Sequence, residues 1–165
     1  MSDRVFALDA NVFIEAHRRY YAFDIAPMFW RSLVGHAASG RLESIDRIKV
    51  ELERGRGELA AWATREFSNA FVPTDEDDVV DSYKGIMQWV YAQRRFSDGA
   101  KAGFAGGADG WLVAYARVKG RVIVTHEVLD QNARRKVPIP NVCEVFNVSY
   151  VNTFEMMREL GMRWI

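Results

Sequence analysis

The chain has 165 residues, of which 49% are hydrophobic and 27% are charged. This balance is typical of an ordinary globular domain, and a single domain of this length buries a core without disulfides. Basic and acidic residues number 22 each, so no overall positive field draws the chain to nucleic acid. We therefore predict one domain spanning residues 1–165, in which any contact with a polyanion depends on local groups of basic residues.

The N-terminus and the single cysteine bear on the cellular location and on covalent cross-links. Residues 1–4 lack the basic segment and apolar run of a signal peptide, and no stretch is long enough to span a membrane. We expect a cytoplasmic protein without membrane contact. Cys143 is the only cysteine, which excludes an intramolecular disulfide and a cluster of thiolate ligands.

The first half of the chain alternates short apolar strands with amphipathic helices. A buried strand is predicted at 5–8, directly before Asp9, and a second strand at 41–45. Phe71 and Val72 belong to a short extended segment. Helical spacing of apolar residues predicts helices over 12–19, 27–39, 46–52 and 58–67.

The second half begins with a long helix over 74–94, for which Thr74 is the predicted cap. The acids at 75–78 indicate a helix start rather than a metal site. The glycine-rich segment 99–107 lacks the lysine and hydroxyl residue of a phosphate-binding loop and is predicted to be a flexible connection. The remaining elements are a helix over 108–118, a β-branched strand at 122–124, an apolar turn at 141–146, a strand near 148–151 and a final helix capped by Asn152.

Four acids follow strands or line helix faces in this arrangement. Asp9 and Glu127 come after the strands at 5–8 and 122–124, and the carboxyl ends of parallel strands meet at one edge of a sheet. Asp109 lies in the first turn of its helix, and Glu51 lies beside the buried stripe of another. Two structural alternatives remain open: Asp9 and Asn11 cap the first helix, and Glu51 pairs with Arg54.

Clustered carboxylates cannot all stay ionised without a cation, because like charges raise one another's pKa. Ligands that are all oxygen select a hard ion, Mg²⁺ or Mn²⁺. Such an ion activates water for attack on phosphorus, so the predicted reaction is phosphodiester hydrolysis. We assign Asp9, Glu51, Asp109 and Glu127 as catalytic acids. Asp9, Asp109 and Glu127 are the predicted metal ligands.

The order of these motifs resembles the PIN-domain family of metal-dependent ribonucleases, many of which are VapC-like toxins of toxin–antitoxin pairs. The matching segments are Leu8-Asp9-Ala10-Asn11, Val50-Glu51-Leu52, Ala108-Asp109-Gly110-Trp111-Leu112 and Val124-Thr125-His126-Glu127. The first and third of these segments, together with the final segment Asn152-Thr153-Phe154-Glu155-Met156, most resemble an uncharacterised PIN-like branch.

The resemblance implies a three-layer α/β/α sandwich with a mainly parallel sheet and four acids at its carboxyl edge. It also implies an RNA substrate, a homodimer and an antitoxin protein as partner. The fourth acid of the family is usually aspartate, whereas this chain has Glu127 at the matching position. Asp130 is therefore an alternative fourth acid. A non-catalytic PIN-like scaffold that binds protein or RNA is the alternative function.

Substrate contacts are predicted from polar residues beside the acids and from one basic loop. His126 is weighed as a metal or phosphate contact against a purely structural hydrogen bond. Trp111 is expected to support the fold rather than to stack on bases. The predicted substrate-binding residues are Asn11, Thr125, His126, Arg134, Arg135 and Lys136.

Overall fold

A parallel five-stranded sheet runs through the centre of a computed structural model that describes residues 3–163. Its two central strands are short because each is a fully buried apolar segment followed directly by a polar residue, Asp9 or Thr125. Every pairing is parallel and the strand order is β3-β2-β1-β4-β5. The strands are β1 (Phe6–Leu8), β2 (Leu42–Ile45), β3 (Phe71–Val72), β4 (Val122–Val124) and β5 (Tyr150–Val151).

The direction in which strands are added reverses between β1 and β4. Successive strands up to β3 extend the sheet to one side of β1, whereas β4 and β5 extend it to the other. Leu8 is in register with Val124, so the residues after both strands leave the sheet side by side. Ligands of open parallel sheets bind at such a reversal.

Helices cover the sheet in two groups, which completes the predicted three-layer α/β/α sandwich. In the first group α1, α3 and α4 pack together; in the second α7 packs against α5, α6 and α8. Within residues 3–163 no helix has both the length and the apolarity to span a bilayer. The helices are α1 (Ala10–Glu15), α2 (Pro27–Ala38), α3 (Asp46–Arg54), α4 (Gly57–Arg65), α5 (Asp77–Ala92), α6 (Asp98–Gly106), α7 (Asp109–Lys119), α8 (Ile139–Phe146) and α9 (Thr153–Leu160), with a π-helical turn at Ala16–Tyr20 and a 3-10 turn at Ser68–Ala70.

Two sequence predictions are wrong because of side-chain contacts that the local sequence pattern does not reveal. The segment 99–107 is not a flexible connection but most of α6, which Ser97 caps by accepting a hydrogen bond from the Ala100 amide at 3.0 Å. Burial of Ala100 and Phe104 holds this helix despite its glycines. Thr74 does not cap α5, since its hydroxyl donates to Asp46 and accepts from Arg47 Nε.

The apolar segment predicted as a turn at 141–146 is also helical and forms most of α8. The predicted cap of the final helix is confirmed. Asn152 Oδ1 accepts from the Glu155 amide at 2.9 Å, and the Glu155 carboxylate accepts from the Asn152 amide at 3.4 Å. This reciprocal pair satisfies two backbone amides at the start of α9.

Close approach of α7 to α5 and α6 depends on a residue without a side chain. A Cβ atom at Gly110 would lie 3.0 Å from ring carbons of both Phe104 and Tyr83. Neither ring is free to move: Phe104 is buried, and Tyr83 stacks on Trp111 with a centroid distance of 3.8 Å. Gly110 therefore lets the first turn of α7, with Asp109, sit against its neighbours.

We predict that Gly110→Ala lowers the free energy of unfolding by about 1–3 kcal/mol, because the added methyl group overpacks a closed contact. Gly103→Ala is the matched control. A Cβ atom at Gly103 would meet no neighbouring side chain within 4 Å, and alanine in place of glycine within α6 should stabilise by about 0.5–1 kcal/mol. Urea unfolding measures both, and a Gly110→Ala protein as stable as the unmodified one would contradict this packing.

Candidate active site

Asp9 is fixed where β1 leaves the sheet, next to the end of β4. Its amide donates to the Val124 carbonyl at 2.9 Å, which continues the pairing of the two strands. The side chain is 2% exposed and makes no capping hydrogen bond to α1. Instead, Thr125 Oγ1 donates to Asp9 Oδ2 at 3.0 Å. The carboxylate is thus held at the carboxyl edge of the sheet rather than used as a helix cap.

Asp109 enters the same region as the first residue of α7. Beside it, Glu51 on α3 accepts a hydrogen bond from the Ala108 amide at 3.2 Å. This contact joins α3 to the start of α7, and the charge of Glu51 acts on Asp109. Among residues 3–163 no ion pair between Glu51 and Arg54 is found, so the alternative prediction for Glu51 is wrong.

Glu127 is tied into the loop after β4 by three contacts. Its amide donates to Thr125 Oγ1 at 3.1 Å. Its carboxylate accepts from the Ile139 amide at 2.9 Å and pairs with the Lys136 ammonium at 3.0 Å. The Glu127 side chain is 13% exposed, whereas that of Lys136 is 59% exposed, so the ion pair reaches from the protein edge into solvent.

Low exposure and, to a smaller degree, mutual repulsion raise the pKa values of two of these acids. Burial raises the pKa of Asp9 well above its ordinary value, and the charges of Asp109 and Glu127 raise it further. Burial raises the pKa of Asp109 to about 7, with added repulsion from Glu127 and Glu51 and an opposing effect of Lys136. Perturbed carboxyl groups at a sheet edge are a physical signature of functional sites.

The structure thus brings Asp9, Asp109 and Glu127 into one electrostatic group, with Glu51 acting on it through Asp109. These carboxylates do not form a closed cage. In the described part of the chain, no three acid, histidine or cysteine side chains converge closely enough to enclose an ion. The contacts of Glu127 with Lys136 and the Ile139 amide hold its carboxylate to one side.

Asp130, the alternative fourth acid, is turned away from this group. Its carboxylate accepts from the Asn132 amide at 2.9 Å within its own turn. Its backbone is held by the Asn141 side chain, through hydrogen bonds of 3.0 Å and 2.8 Å. Of the two candidates, Glu127 is therefore the residue whose charge reaches Asp9.

The predicted substrate-binding residues differ in how far solvent reaches them: Thr125 is buried, whereas Asn11 and His126 are partly exposed. Thr125 corrects one prediction: it is buried, and its hydroxyl is engaged by Asp9 and Glu127, so it orients acids rather than meeting substrate. His126 forms a hydrogen bond to Thr153 at 3.0 Å, and burial lowers its pKa against an opposing effect of Glu15. Asn11 lines a cavity of about 380 Å³ together with His126 and Glu127.

The basic loop lies over a second cavity beside Glu127. Arg134 and Arg135 are exposed and line a cavity of about 550 Å³. Lys136 differs from them because its ammonium is bound to Glu127 and also interacts electrostatically with Asp109 and Asp9. Sequence reasoning missed this counter-charge role, since a lysine nine residues away across an irregular loop follows no periodic pattern.

Trp111 packs within the protein, as predicted. Its ring stacks on Tyr83 with an interplanar angle of 6°, and the Arg47 guanidinium lies 3.9 Å from its centroid. Because two groups within 4 Å of one ring centre must occupy opposite faces, neither face is left for a base. Trp111 therefore supports the junction of α3, α5 and α7.

We predict that Asp109→Asn stabilises the metal-free protein at high pH. The pKa of Asp109 is raised in the folded protein from 3.8 to about 7. Its contribution to stability is therefore complete below pH 4 and is lost as the pH rises through 7. In chelator, the free energy of unfolding of the variant should exceed that of the unmodified protein by about 4 kcal/mol at pH 8 and by about 1 kcal/mol at pH 4.5.

Asp130→Asn, an exposed carboxylate outside the acidic group, is the control and should give the same difference at both pH values. Unfolding by urea at pH 4.5 and pH 8 measures the effect. A variant that loses stability between these pH values as steeply as the unmodified protein would contradict burial of a charged Asp109.

Comparisons with known proteins agree with this architecture. A search of curated proteins found no match. Among solved structures, one of FitAcB from Neisseria gonorrhoeae superimposes with a TM-score of 0.53 at 17% identity, covering 91% of this chain and 99% of that one. At this identity the likeness concerns the fold alone. The sequence profile of the family described as "Domain of unknown function (DUF4411)" matches residues 6–164, and the chain belongs to that family.

Proposed function

We propose that this protein is a Mg²⁺- or Mn²⁺-dependent endoribonuclease whose active site is the acidic group at the carboxyl edge of the sheet. One observation carries the proposal. Asp9 is buried and Asp109 is partly buried; the charges of Asp109 and Glu127 act on Asp9, and that of Glu127 acts on Asp109, at the reversal between β1 and β4. Carboxyl groups held in this way are either protonated or offset by a cation, and a bound divalent cation would let both stay ionised.

The acids fit a hard divalent ion. Mg²⁺ is commonly held by one or two carboxylates, keeps several waters and shares its remaining positions with substrate phosphates. Asp9 and Asp109 would hold it, and Glu127 would complete the negative surroundings, so a closed cage of three side chains is not required. When bound, such an ion lowers the pKa of a water and offsets charge on the phosphate oxygens.

The chain's own residues supply orientation and counter-charge. Thr125 fixes Asp9 through its hydroxyl and fixes Glu127 through the Glu127 amide. Glu51 anchors the first turn of α7, which carries Asp109. The Lys136 ammonium offsets part of the negative charge that would otherwise repel a phosphodiester.

The two exposed arginines of the basic loop are suited to the phosphates that flank the cleaved bond. Arg134 and Arg135 line the cavity that also contains Glu127, so a strand that leaves the acidic group passes them. In a protein of zero net charge, such local contacts are the source of affinity for a polyanion.

We further propose that the protein is the toxin of a toxin–antitoxin pair. The motif resemblance to VapC-like toxins supports this biological role, the choice of RNA as substrate, the antitoxin partner and the homodimer. The fold likeness to FitAcB is compatible with it.

Cleavage of a single-stranded RNA with Mn²⁺, Mg²⁺ or chelator tests this function. We predict metal-dependent cleavage that falls by about 10- to 100-fold in Thr125→Val, as is usual when a group orienting a metal ligand is removed. Asp9→Asn, which alters the ligand itself, should reduce cleavage further. Asp81→Asn is the matched control, because Asp81 is an exposed acid on α5 that lines none of these cavities, and it should cleave as the unmodified protein does.

Two results would count against the proposal. Cleavage that survives Asp9→Asn unchanged would place the activity elsewhere. RNA binding without cleavage under any metal condition would favour the alternative of a non-catalytic scaffold.

A further inference from the structure

Two exposed aromatic rings meet beside the acidic group. Tyr20 is 52% exposed and Phe154 is 40% exposed. Their centroids lie 6.1 Å apart with an interplanar angle of 82°. An edge-to-face pair of this kind leaves ring faces uncovered, so a third flat group can stack on it.

Tyr20 reaches the surface because the chain departs from α-helical geometry. Phe13 is buried, and seven residues later an α-helix would return Tyr20 to the same inward face. The π-helical turn Ala16–Tyr20 widens the helix instead, with the Tyr21 amide bonded to the Ala16 carbonyl at 2.7 Å. Tyr21 then stacks on buried Phe29 at 4.6 Å, and Tyr20 is left outside. Turns of this kind occur often at functional sites.

The aromatic pair stands between two cavities that share walls with the acidic group. Tyr20 lines the cavity of about 380 Å³, and Phe154 lines a neighbouring one of about 400 Å³. His126 and Glu127 line both. Since the charge of Glu127 acts on Asp9, both cavities adjoin the proposed site of cleavage.

The first of these cavities is polar as well as aromatic. Asn11, Glu15 and His126 bring an amide, a carboxylate and an imidazole to its walls. Its volume lies within the range of sites for small flat ligands. An aromatic wall combined with hydrogen-bonding groups suits a nucleobase better than a protein helix, which would need a continuous apolar groove.

Two arginines precede Tyr20, while the linings of the two cavities carry the acids Glu15, Glu127 and Glu155. Arg18 and Arg19 are exposed directly before Tyr20, and Arg19 pairs with Glu15 at 3.0 Å. Arginines next to an exposed ring are the usual combination by which proteins hold the backbone and stack the bases of a single strand.

We propose that Tyr20 and Phe154 form a base-stacking subsite, which holds a nucleobase of single-stranded RNA next to the phosphodiester at the acidic group. This inference rests on the proposed function and specifies its substrate as unpaired. The cavity beside Tyr20 receives the edge of the stacked base, where Asn11 and Glu15 meet it.

The test measures binding, separately from cleavage, in chelator by fluorescence anisotropy of a labelled single-stranded RNA. Tyr20→Ala/Phe154→Ala should lower affinity by roughly 5- to 150-fold, the range for loss of one base-stacking contact. Tyr20→Phe should retain the affinity, because a phenyl ring also stacks. Tyr91→Ala removes a similarly exposed tyrosine on α5 that lines neither cavity, and should have no effect.

A set of RNAs, each with one abasic position, identifies the stacked base. At that position the abasic RNA should bind the double variant and the unmodified protein equally, since the stacked base is already missing. The slope of log affinity against log salt should be the same for both proteins, because stacking releases no counterions. Both mutated side chains are exposed, so the melting temperature should change little and serves as the folding control.

The outcomes separate this inference from the proposed function. If the unmodified protein cleaves RNA and the double variant binds and cleaves it equally well, the subsite is wrong and the nuclease stands. If the unmodified protein neither binds nor cleaves RNA, both the subsite and the proposed function are wrong. If the double variant alters self-association or protein binding but not RNA affinity, the rings belong to a protein interface and the subsite is overturned.

Discussion

The low exposure of the Asp9 and Asp109 carboxylates, together with repulsion from neighbouring acids, is the constraint around which the carboxyl edge is arranged. Nearby contacts lower the free-energy cost of keeping these carboxylates charged. The Thr125 hydroxyl stabilises the charged form of Asp9, and Lys136 offsets the charge near Asp109 and Glu127. The Ile139 amide gives Glu127 a further partner. In the absence of a cation, the site is therefore a region where the fold gives up stability, as functional sites commonly do.

The rest of the fold keeps these charges in place. The register of β1 and β4 sets Asp9 beside Thr125, and Gly110 lets the first turn of α7 approach α5 closely enough to bring Asp109 in. The stack of Arg47, Trp111 and Tyr83 closes the outer side of this junction. The acids are thus supplied by elements that are far apart in sequence and fixed by packing, which suits a site that must remain rigid while it binds a charged ligand.

The sequence predicted those parts of the site that follow from local periodicity. Asp9 and Glu127 follow apolar strands, and the rule for parallel strands places both at one edge without knowledge of the fold. It did not predict features that depend on side chains distant in sequence, such as the pairing of Lys136 with Glu127 or the inward turn of Thr125. The exposure of Tyr20 could not be predicted for a related reason. Continued α-helical spacing would place its side chain on the inward face, and the π-helical turn places it at the surface instead. The helix at 98–106 was missed because glycine propensity was outweighed by burial of Phe104 and the Ser97 cap.

If the acidic group at the end of β1 and β4 is a divalent-metal site, a paramagnetic ion must localise there. Substoichiometric Mn²⁺ added to ¹⁵N-labelled protein tests this directly, since the ion broadens the amide signals nearest to it. We expect the amides of Ala10, Gly110 and Thr125 to broaden first, and Asp9→Asn to abolish this pattern. Broadening centred on the acids at 75–78, where α5 begins, with the signals of Ala10 and Thr125 unchanged, would contradict a metal site at the carboxyl edge.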